Sequence, residues 1–268
     1  MSSCDNNCTE CKTKNNCSKE SKQVNELSKI KKIIAVGSGK GGVGKSLVTT
    51  LLATKLRKEG FNVGILDADI TGPSIPKTFG INAKTINNKD GIIPIESKLG
   101  IKIVSINMFL DNESDAVIWR GPILSNTVIQ FFKDTMWGSL DCLIIDMPPG
   151  TADIVLTIYQ SIPIDGLIIV TTPQDLVSLI VEKSYNMAKQ MGIKTLGLVE
   201  NMSYLKCDKC ENRINIFGES KIDDLAIKLE TKVIEKIPLD TKLSKYVDDG
   251  NIENYENTLF KDFNLERK

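Results

Sequence analysis

A glycine-rich stretch near the start of the chain, GSGKGGVGKS at positions 37–46, constrains the possible fold more than any other feature. An apolar, β-branched run (KKIIAVG) leads into it, and a segment with helical spacing (SLVTTLLATKLRKEG) follows it and stops at Gly60. Glycines in this pattern let backbone N–H groups approach an anion closely, and strand, loop, helix is the order that a phosphate-binding loop requires. The stretch therefore predicts a P-loop at the end of a β-strand.

The residue types of this loop predict how a nucleoside triphosphate and its Mg²⁺ are held. Lys45 should reach the β- and γ-phosphates, and the Ser46 hydroxyl should bind Mg²⁺. The backbone of the remaining loop positions should surround the phosphates of ATP: Gly39, Lys40, Gly41, Gly42, Val43 and Gly44. Lys40 is one lysine more than a single chain needs for this purpose.

Further apolar runs alternate with helical patterns along the chain. The runs predicted as strands are KKIIAVG, NVGILD, IKIVSI, LDCLIID, DGLIIVT, TLGLVEN and KVIEKIP. Several are apolar almost throughout, as expected for strands covered on both faces. The pattern predicts an α/β fold with a doubly wound, mainly parallel sheet, whose ligands gather at the carboxyl ends of the strands.

The domain division follows from composition. Residues 1–28 are polar and contain almost nothing apolar, which predicts a flexible, Cys-rich segment that only a bound metal or cluster would order. Residues 29–268 form the predicted P-loop ATPase domain. Its last part, KLSKYVDDGNIENYENTLFKDF, is interpreted as ordinary surface helices.

The charge balance and the cysteine content limit the binding partners and the cellular location that we expect. Lysine plus arginine and aspartate plus glutamate number 34 each, so no charge excess favours binding to nucleic acid or an anionic membrane. Neither a long apolar run nor a signal-peptide pattern is seen, so we expect a cytoplasmic protein. Its seven cysteines should then be reduced, and the lack of any histidine excludes histidine general bases and histidine metal ligands.

Carboxylates follow two of the predicted strands. Asp67 and Asp69 come at the end of NVGILD, where they can hold the hydration shell of Mg²⁺ and orient an attacking water. Asp146 ends an apolar run, as a Walker-B carboxylate facing the metal should. Gly150 then offers a backbone N–H to the γ-phosphate, and Asp153 lies on a segment suited to moving when that phosphate leaves.

The cysteines form two groups and one isolated residue. Cys207 and Cys210 make a C-x-x-C, a spacing that lets two thiolates converge on one metal; a redox dithiol is the main alternative. The tail contributes Cys4, Cys8, Cys11 and Cys17, which suit either an iron–sulfur cluster or Zn²⁺. Cys142 lies within a predicted strand and is interpreted as a buried apolar residue.

These pieces together resemble a known family. GKGGVGKS, with its early lysine, is similar to the deviant Walker A loop of the MinD/ParA/nitrogenase-iron-protein class of P-loop ATPases, a SIMIBI-like fold. Within that class DADITGPSIPKTFG, WRGP, IIDMPPGTAD and ENMSYLKCDKC resemble the Mrp/ApbC family of iron–sulfur cluster carriers. The resemblance spans about residues 31–245, and its pieces occur in the family's order.

The resemblance implies a mechanism. Two chains face each other across two ATP molecules, so Lys40 would contact the phosphates bound by the partner chain. Cys207 and Cys210 of both chains would hold one bridging cluster, a 4Fe–4S cluster, for delivery to apo iron–sulfur proteins. Asn201 corresponds to the position that reads adenine, although capping of a strand end explains it nearly as well. The residues implied to support slow hydrolysis are Lys40, Lys45, Asp67, Asp69 and Asp146.

Two other functions use the same loop. A positioning or partitioning ATPase of the MinD/ParA kind would share the nucleotide site but should bind membrane or DNA. The balanced charge and the lack of a basic amphipathic tail disfavour both. A zinc-stabilised, nucleotide-dependent scaffold would keep its cysteines filled with Zn²⁺ and transfer nothing. For the tail, the resemblance favours an iron–sulfur cluster over zinc.

Overall fold

The apolar runs of the sequence form the strands of one eight-stranded sheet in a computed structural model. The structure describes residues 24–69, 74–109, 121–151, 153–174, 177–207, 209–210 and 212–265. The predicted tail site, Cys4, Cys8, Cys11 and Cys17, lies outside the described residues. The strands are β1 Lys29–Ile30, β2 Ile33–Ser38, β3 Val63–Asp67, β4 Ile86–Asn88, β5 Gly91–Ile93, β6 Ile95–Glu96, β7 Lys102–Ser105, β8 Ser139–Leu140, β9 Cys142–Asp146, β10 Gly166–Thr171, β11 Thr195–Glu200, β12 Leu205–Lys206, β13 Arg213–Ile214 and β14 Val233–Lys236.

Helices cover both faces of this sheet. They are α1 Lys45–Lys58, α2 Ile75–Thr78, α3 Gly121–Asp134, α4 Asp153–Ser161, α5 Val177–Gln190, α6 Ile222–Lys228 and α7 Thr241–Asp248, with 3₁₀ turns at Ile106–Met108 and Ile252–Asn254. The helices α3 to α6 contribute to one hydrophobic core, and α1, α2 and α7 contribute to the other. Successive residues of β2 alternate between the two cores, since side chains of a strand point to opposite faces.

The doubly wound, mainly parallel sheet predicted from the sequence is confirmed. The strand order is β14-β11-β10-β2-β9-β3-β7-β6. Every neighbouring pair in this order is parallel except β6 with β7, which pair antiparallel at the edge. The short strand β6 and the hairpins β4–β5 and β12–β13 were not expected, because two- or three-residue strands carry too little periodicity to be predicted. Among the residues described, no helix has the length and apolar character needed to cross a membrane.

The C-terminal segment corrects one expectation. The predicted run of surface helices is wrong beyond Asp248, because after a 3₁₀ turn the chain continues without a helix to residue 265. Phe260 is fully buried there, and Phe263 is buried beside it. The ammonium of Lys55 on α1 donates to the Phe263 carbonyl oxygen, and the amide of Asn257 donates to the Leu51 carbonyl oxygen at 2.9 Å. The segment is therefore a cover for α1, which explains why α1 is buried on so much of its circumference.

Candidate functional site

The predicted nucleotide residues meet at one edge of the sheet because their strands are parallel neighbours. In the pairing register, Val36 of β2 and Asp67 of β3 both lie opposite Asp146 of β9. The glycine-rich loop leaves the end of β2 and enters α1 at Lys45. The loop, both carboxylate stations and the start of α1 are thus brought together, as ligand sites in doubly wound sheets require.

Two glycines of the loop have backbone conformations that disfavour other residues. Gly42 has φ 78° and Gly44 has φ 81°, both in the left-handed region. A Cβ on Gly44 would lie 2.1 Å from Nδ2 of Asn201, whereas a Cβ on Gly41 or Gly42 would meet nothing within 4 Å. The loop is therefore packed against the protein at Gly44 and open at Gly41 and Gly42.

Lys45 is buried between two carboxylates. Its Nζ lies 2.9 Å from Oδ1 of Asp146 and 3.3 Å from Oδ2 of Asp69. Burial lowers the pKa of Lys45, but the charges of Asp146 and Asp69 outweigh burial and hold the pKa above its ordinary value. The lysine is fully charged, and carboxylate oxygens hold it in the way that phosphate oxygens of a nucleotide would.

Asp146 collects hydroxyl donors as well as the lysine. Ser46 donates to Oδ2 at 2.6 Å, and Thr49 donates to Oδ1 at 2.9 Å. The carboxylate is fully buried, so these contacts and Lys45 offset its lost hydration. A serine hydroxyl against a carboxylate is the oxygen donor set that Mg²⁺ prefers, so the predicted pair fits the ion. Thr49 was missed, although its position one helical turn after Lys45 is a signal that it shares the face of α1 turned to β9.

The two aspartates at the carboxyl end of β3, Asp67 and Asp69, have different surroundings. Asp67 is buried, and its carboxylate accepts from the Asp69 N–H at 3.2 Å and from the Ser105 hydroxyl at 2.9 Å. Burial raises the pKa of Asp67 well above its ordinary value, and the negative charge of Asp146 adds to this rise. The Asp69 side chain is 13% exposed and faces Lys45. Asp67 thus lies behind the site, and Asp69 lies at its surface.

Gly150 lies where the loop after β9 crosses the P-loop strand. Its backbone N–H, predicted to face the γ-phosphate, donates to the Ser38 carbonyl oxygen at 2.8 Å. Its φ of 87° is left-handed, so the turn depends on glycine. Asp153 starts α4 directly after this turn. The γ-phosphate contact of Gly150 stays a prediction.

Lys40 and Asn201 bind elements of their own chain. The ammonium of Lys40 donates to Oε1 of Gln174, which follows β10. Asn201 is buried, and its Nδ2 donates to the Val43 carbonyl oxygen at 2.9 Å. Asn201 therefore supports the back of the P-loop here; its contact with adenine stays a prediction, as does the action of Lys40 on a partner's phosphates.

The C-x-x-C lies on a β-hairpin, not at the start of a helix as a thioredoxin-like dithiol would. The strands β12 and β13 pair antiparallel, and the Cys207 N–H donates to the Asn212 carbonyl oxygen at 3.0 Å. Cys210 is exposed and Cys207 partly exposed. The Arg213 guanidinium lies 4.3 Å from the Tyr204 ring centroid, which fixes the base of the hairpin. In the described part of the chain, no three His, Cys, Asp or Glu side chains are grouped to hold a metal ion.

Cys142 has the surroundings that the sequence predicted for it. It is fully buried in β9, and burial raises the pKa of its thiol. A protonated thiol in the core binds no metal and reacts slowly. Cys142 is thus an apolar core residue, unlike the solvent-accessible Cys207 and Cys210 on the hairpin.

Comparison of the sequence with known proteins identifies the family of this chain. A family model described as the NUBPL iron-transfer P-loop NTPase, of ParA type, matches residues 29–264. An iron–sulfur cluster carrier protein of Clostridium perfringens is 43% identical, with 94% of this chain and 96% of the relative covered. A second protein of that name, from Methanocaldococcus jannaschii, is 46% identical, with 93% of this chain and 90% of the relative covered.

Solved structures agree with the fold. A nucleotide-binding protein of Archaeoglobus fulgidus, solved in complex with ADP, is 44% identical and superposes with a TM-score of 0.76 over 85% of this chain and 89% of the other. The cell division ATPase MinD of Pyrococcus furiosus has a TM-score of 0.59 at 19% identity over 84% of this chain and 91% of the other, a likeness of fold alone. The expected resemblance is confirmed: the chain belongs to the NUBPL-type family of iron-transfer P-loop NTPases.

Proposed function

We propose that this protein is an ATP-dependent iron–sulfur cluster carrier that works as a homodimer and delivers its cluster to apo-proteins. The observation that carries the proposal is the position of Cys207, which is partly exposed, and Cys210, which is exposed, on a hairpin that follows the carboxyl end of β11. The strands β11, β10 and β2 are parallel, so this hairpin starts from the same sheet edge as the P-loop. The names of the relatives, both iron–sulfur cluster carriers, support it.

Ligand number is the argument for a dimer. Iron–sulfur clusters are commonly held by four thiolates, and the hairpin supplies two. A second copy facing the first would supply the other two to one 4Fe–4S cluster. The segment that follows the cysteines exposes Ile214, Ile216 and Phe217, whose apolar surface is suited to burial between two copies. A cluster shared by four thiolates in this way is accessible to a recipient once the copies separate.

Nucleotide binding rearranges the charges described above. Phosphate oxygens would replace Asp146 and Asp69 as partners of Lys45, which exchanges one set of anions for another without leaving the buried ammonium unpaired. Asp146 and Ser46 would then hold Mg²⁺, whose charge stabilises the phosphates. In this proposal Asp69, the more exposed of the two aspartates, would orient the attacking water, and Asp67 would hold the Asp69 backbone by accepting from its N–H.

Lys40 links hydrolysis to association. To reach a partner's phosphates, Lys40 must leave the neutral amide oxygen of Gln174. A phosphate is anionic and binds the ammonium more strongly, so the exchange favours the dimer when ATP is bound. Hydrolysis should be slow, because the chain has no histidine that could act as a general base. ATP then acts as a switch between associated and separated copies.

The first experiment measures iron, acid-labile sulfide and zinc per chain on protein purified without oxygen. Wild type is compared with Cys207→Ala/Cys210→Ala and with Cys142→Ala as a matched control for a buried thiol. Iron and sulfide in equal amounts, partly lost in the double variant and kept in the control, are expected. Zinc alone, or iron that the double variant retains in full, contradicts the carrier proposal and leaves a scaffold or a positioning ATPase.

Dimerisation is tested separately by sedimentation velocity with Mg²⁺ and ATP. Lys40→Ala should bind ATP but fail to form the ATP-dependent dimer, whereas Lys242→Ala, which removes an exposed lysine on α7, should behave as wild type. A Lys40→Ala protein that dimerises normally refutes the trans role of Lys40. Transfer from the loaded dimer to an apo-ferredoxin, followed by visible absorption, tests delivery.

A further inference from the structure

The residue that closes the cysteine hairpin is a buried carboxylate at the end of β11. Glu200 is 2% exposed. Its Oε2 accepts from the Ser203 hydroxyl at 2.6 Å, and its Oε1 accepts from the Ser220 hydroxyl at 2.9 Å. Ser203 and Ser220 stand on either side of the segment that carries Cys207 and Cys210. The Glu200 side chain therefore holds both ends of the segment that carries the two cysteines.

The next residue in the chain holds the P-loop. Asn201 donates from Nδ2 to the Val43 carbonyl oxygen at 2.9 Å and lies so close to Gly44 that a Cβ there would overlap it. The backbone N–H groups of such a loop bind the phosphates, so nucleotide acts on the same peptide units that Asn201 contacts. Two adjacent residues, the last of β11 and the first of the turn that follows it, thus contact the cysteine segment and the nucleotide loop.

The turn between these contacts is stiff. Met202 has φ 55°, a left-handed conformation that is uncommon for a residue other than glycine. The Ser203 N–H donates to the Ile237 carbonyl oxygen at 2.9 Å, and the Ile237 N–H donates to the Glu200 carbonyl oxygen at 2.8 Å. Both hydrogen bonds join the turn to one residue, Ile237, so the two ends of the turn are tied together and a displacement at Asn201 is passed on to Ser203.

We propose that Glu200 is a positioning residue that couples the state of the P-loop to the exposure of Cys207 and Cys210. When the loop binds Mg²⁺ and ATP, the turn after β11 shifts, and the carboxylate carries both ends of the cysteine segment with it. The coupling rests on the proposed function for its biological purpose, because a carrier needs its thiols to respond to nucleotide. The coupling itself predicts that nucleotide changes the reactivity of the two thiols, and this can be measured without any cluster.

The test measures alkylation of Cys207 and Cys210 by iodoacetamide in the full chain under reducing, metal-free conditions. Peptide mass spectrometry resolves these thiols from the other cysteines. In wild type, Mg²⁺ with a non-hydrolysable ATP analogue should change the rate at one or both thiols by about five-fold or more, the usual range of coupling between sites. Glu200→Ala should reduce the change to less than about two-fold while the analogue still binds.

Matched variants separate positioning from general stability. Glu253→Ala removes another buried carboxylate that accepts from a serine, Ser97 at 2.6 Å, away from both sites, and should keep the wild-type nucleotide response. Glu200→Gln keeps an acceptor oxygen and a similar shape, so it should restore much of the response. Ser220→Ala releases one end of the segment and should weaken the response, which provides a test if Glu200→Ala does not fold.

Several outcomes overturn the inference. A wild-type protein whose thiols react at the same rate with and without the analogue shows no coupling. A folded Glu200→Ala or Ser220→Ala protein that keeps the full response shows that the carboxylate does not transmit it, and loss of the response in Glu253→Ala shows only a stability effect. Failure of the carrier proposal is distinct, since it appears as absent iron whatever the alkylation rates are.

Discussion

Replacing Gly44 by alanine tests the contact between the P-loop and β11. Two separate penalties are expected from the structure. Alanine at φ 81° is strained by about 1–2 kcal/mol, since the left-handed region brings Cβ too close to the following carbonyl oxygen. The new Cβ also lies 2.1 Å from Nδ2 of Asn201, so Asn201 must move and lose its bond to Val43.

The second penalty is that of a buried polar group left without its partner, about 1–3 kcal/mol. Gly44→Ala should therefore lower the free energy of unfolding by about 2–5 kcal/mol. Gly42→Ala is the matched control, because Gly42 is also left-handed but a Cβ there meets nothing within 4 Å. Its expected loss is the backbone strain alone, about 1–2 kcal/mol.

A double-mutant cycle isolates the contact. Asn201→Ala alone removes the hydrogen bond and should cost about 1–3 kcal/mol. In Gly44→Ala that bond is already broken, so adding Asn201→Ala should cost almost nothing more, a coupling of about 1–3 kcal/mol. The same change added to Gly42→Ala should be additive within about 0.5 kcal/mol.

Urea unfolding without nucleotide measures these values, with fluorescence of the buried Trp137 as a probe of the core. Two results would refute the reasoning. Equal losses for Gly44→Ala and Gly42→Ala mean that Asn201 does not block a side chain at Gly44. Additive losses for Gly44→Ala and Asn201→Ala mean that the hydrogen bond to Val43 does not depend on glycine at position 44.

Further predictions concern charge, the C-terminal segment and the exposed hairpin. The raised pKa of Asp67 means that the folded protein binds this proton more tightly than the unfolded chain, so stability is lost as pH rises from about 3.8 through the folded pKa. Without Mg²⁺ and nucleotide, Asp67→Asn should unfold at higher urea than wild type at pH 7, with the gain shrinking toward pH 4; an equal gain at both pH values contradicts this. Phe260→Ala should lose about 3–5 kcal/mol in urea unfolding because its ring is fully buried, and a loss below about 1 kcal/mol would mean that the segment does not cover α1. Phe217→Ser should leave monomer stability within about 0.5 kcal/mol but weaken the ATP-dependent dimer in sedimentation, and unchanged dimerisation would place the interface elsewhere.

Local patterns were sufficient for the main elements. Each long apolar run became a strand of the sheet, because a segment that is apolar on both faces is stable only between two layers of helices. The shared position of the P-loop, Asp69 and Asp146 was predictable for the same reason: they lie at or just after the ends of such strands, and parallel strands end at one edge. The deviations occurred where local signals are weak, at short strands such as β6 and in the segment after Asp248, where burial of Phe260 and Phe263 decides the backbone.

The sequence by itself determined the chemistry available to this protein: a phosphate-binding loop, carboxylates at strand ends, and a pair of thiols with metal-binding spacing. Tertiary structure alone decided which of these groups touch. Asn201 contacts Val43 across 158 positions of sequence, because the sheet order puts β11 two strands from β2. Glu200 closes the cysteine segment because the turn after β11 brings Ser203 and Ser220 to one carboxylate. Such contacts depend on strand order and on the path of a loop in space, which no local periodicity specifies.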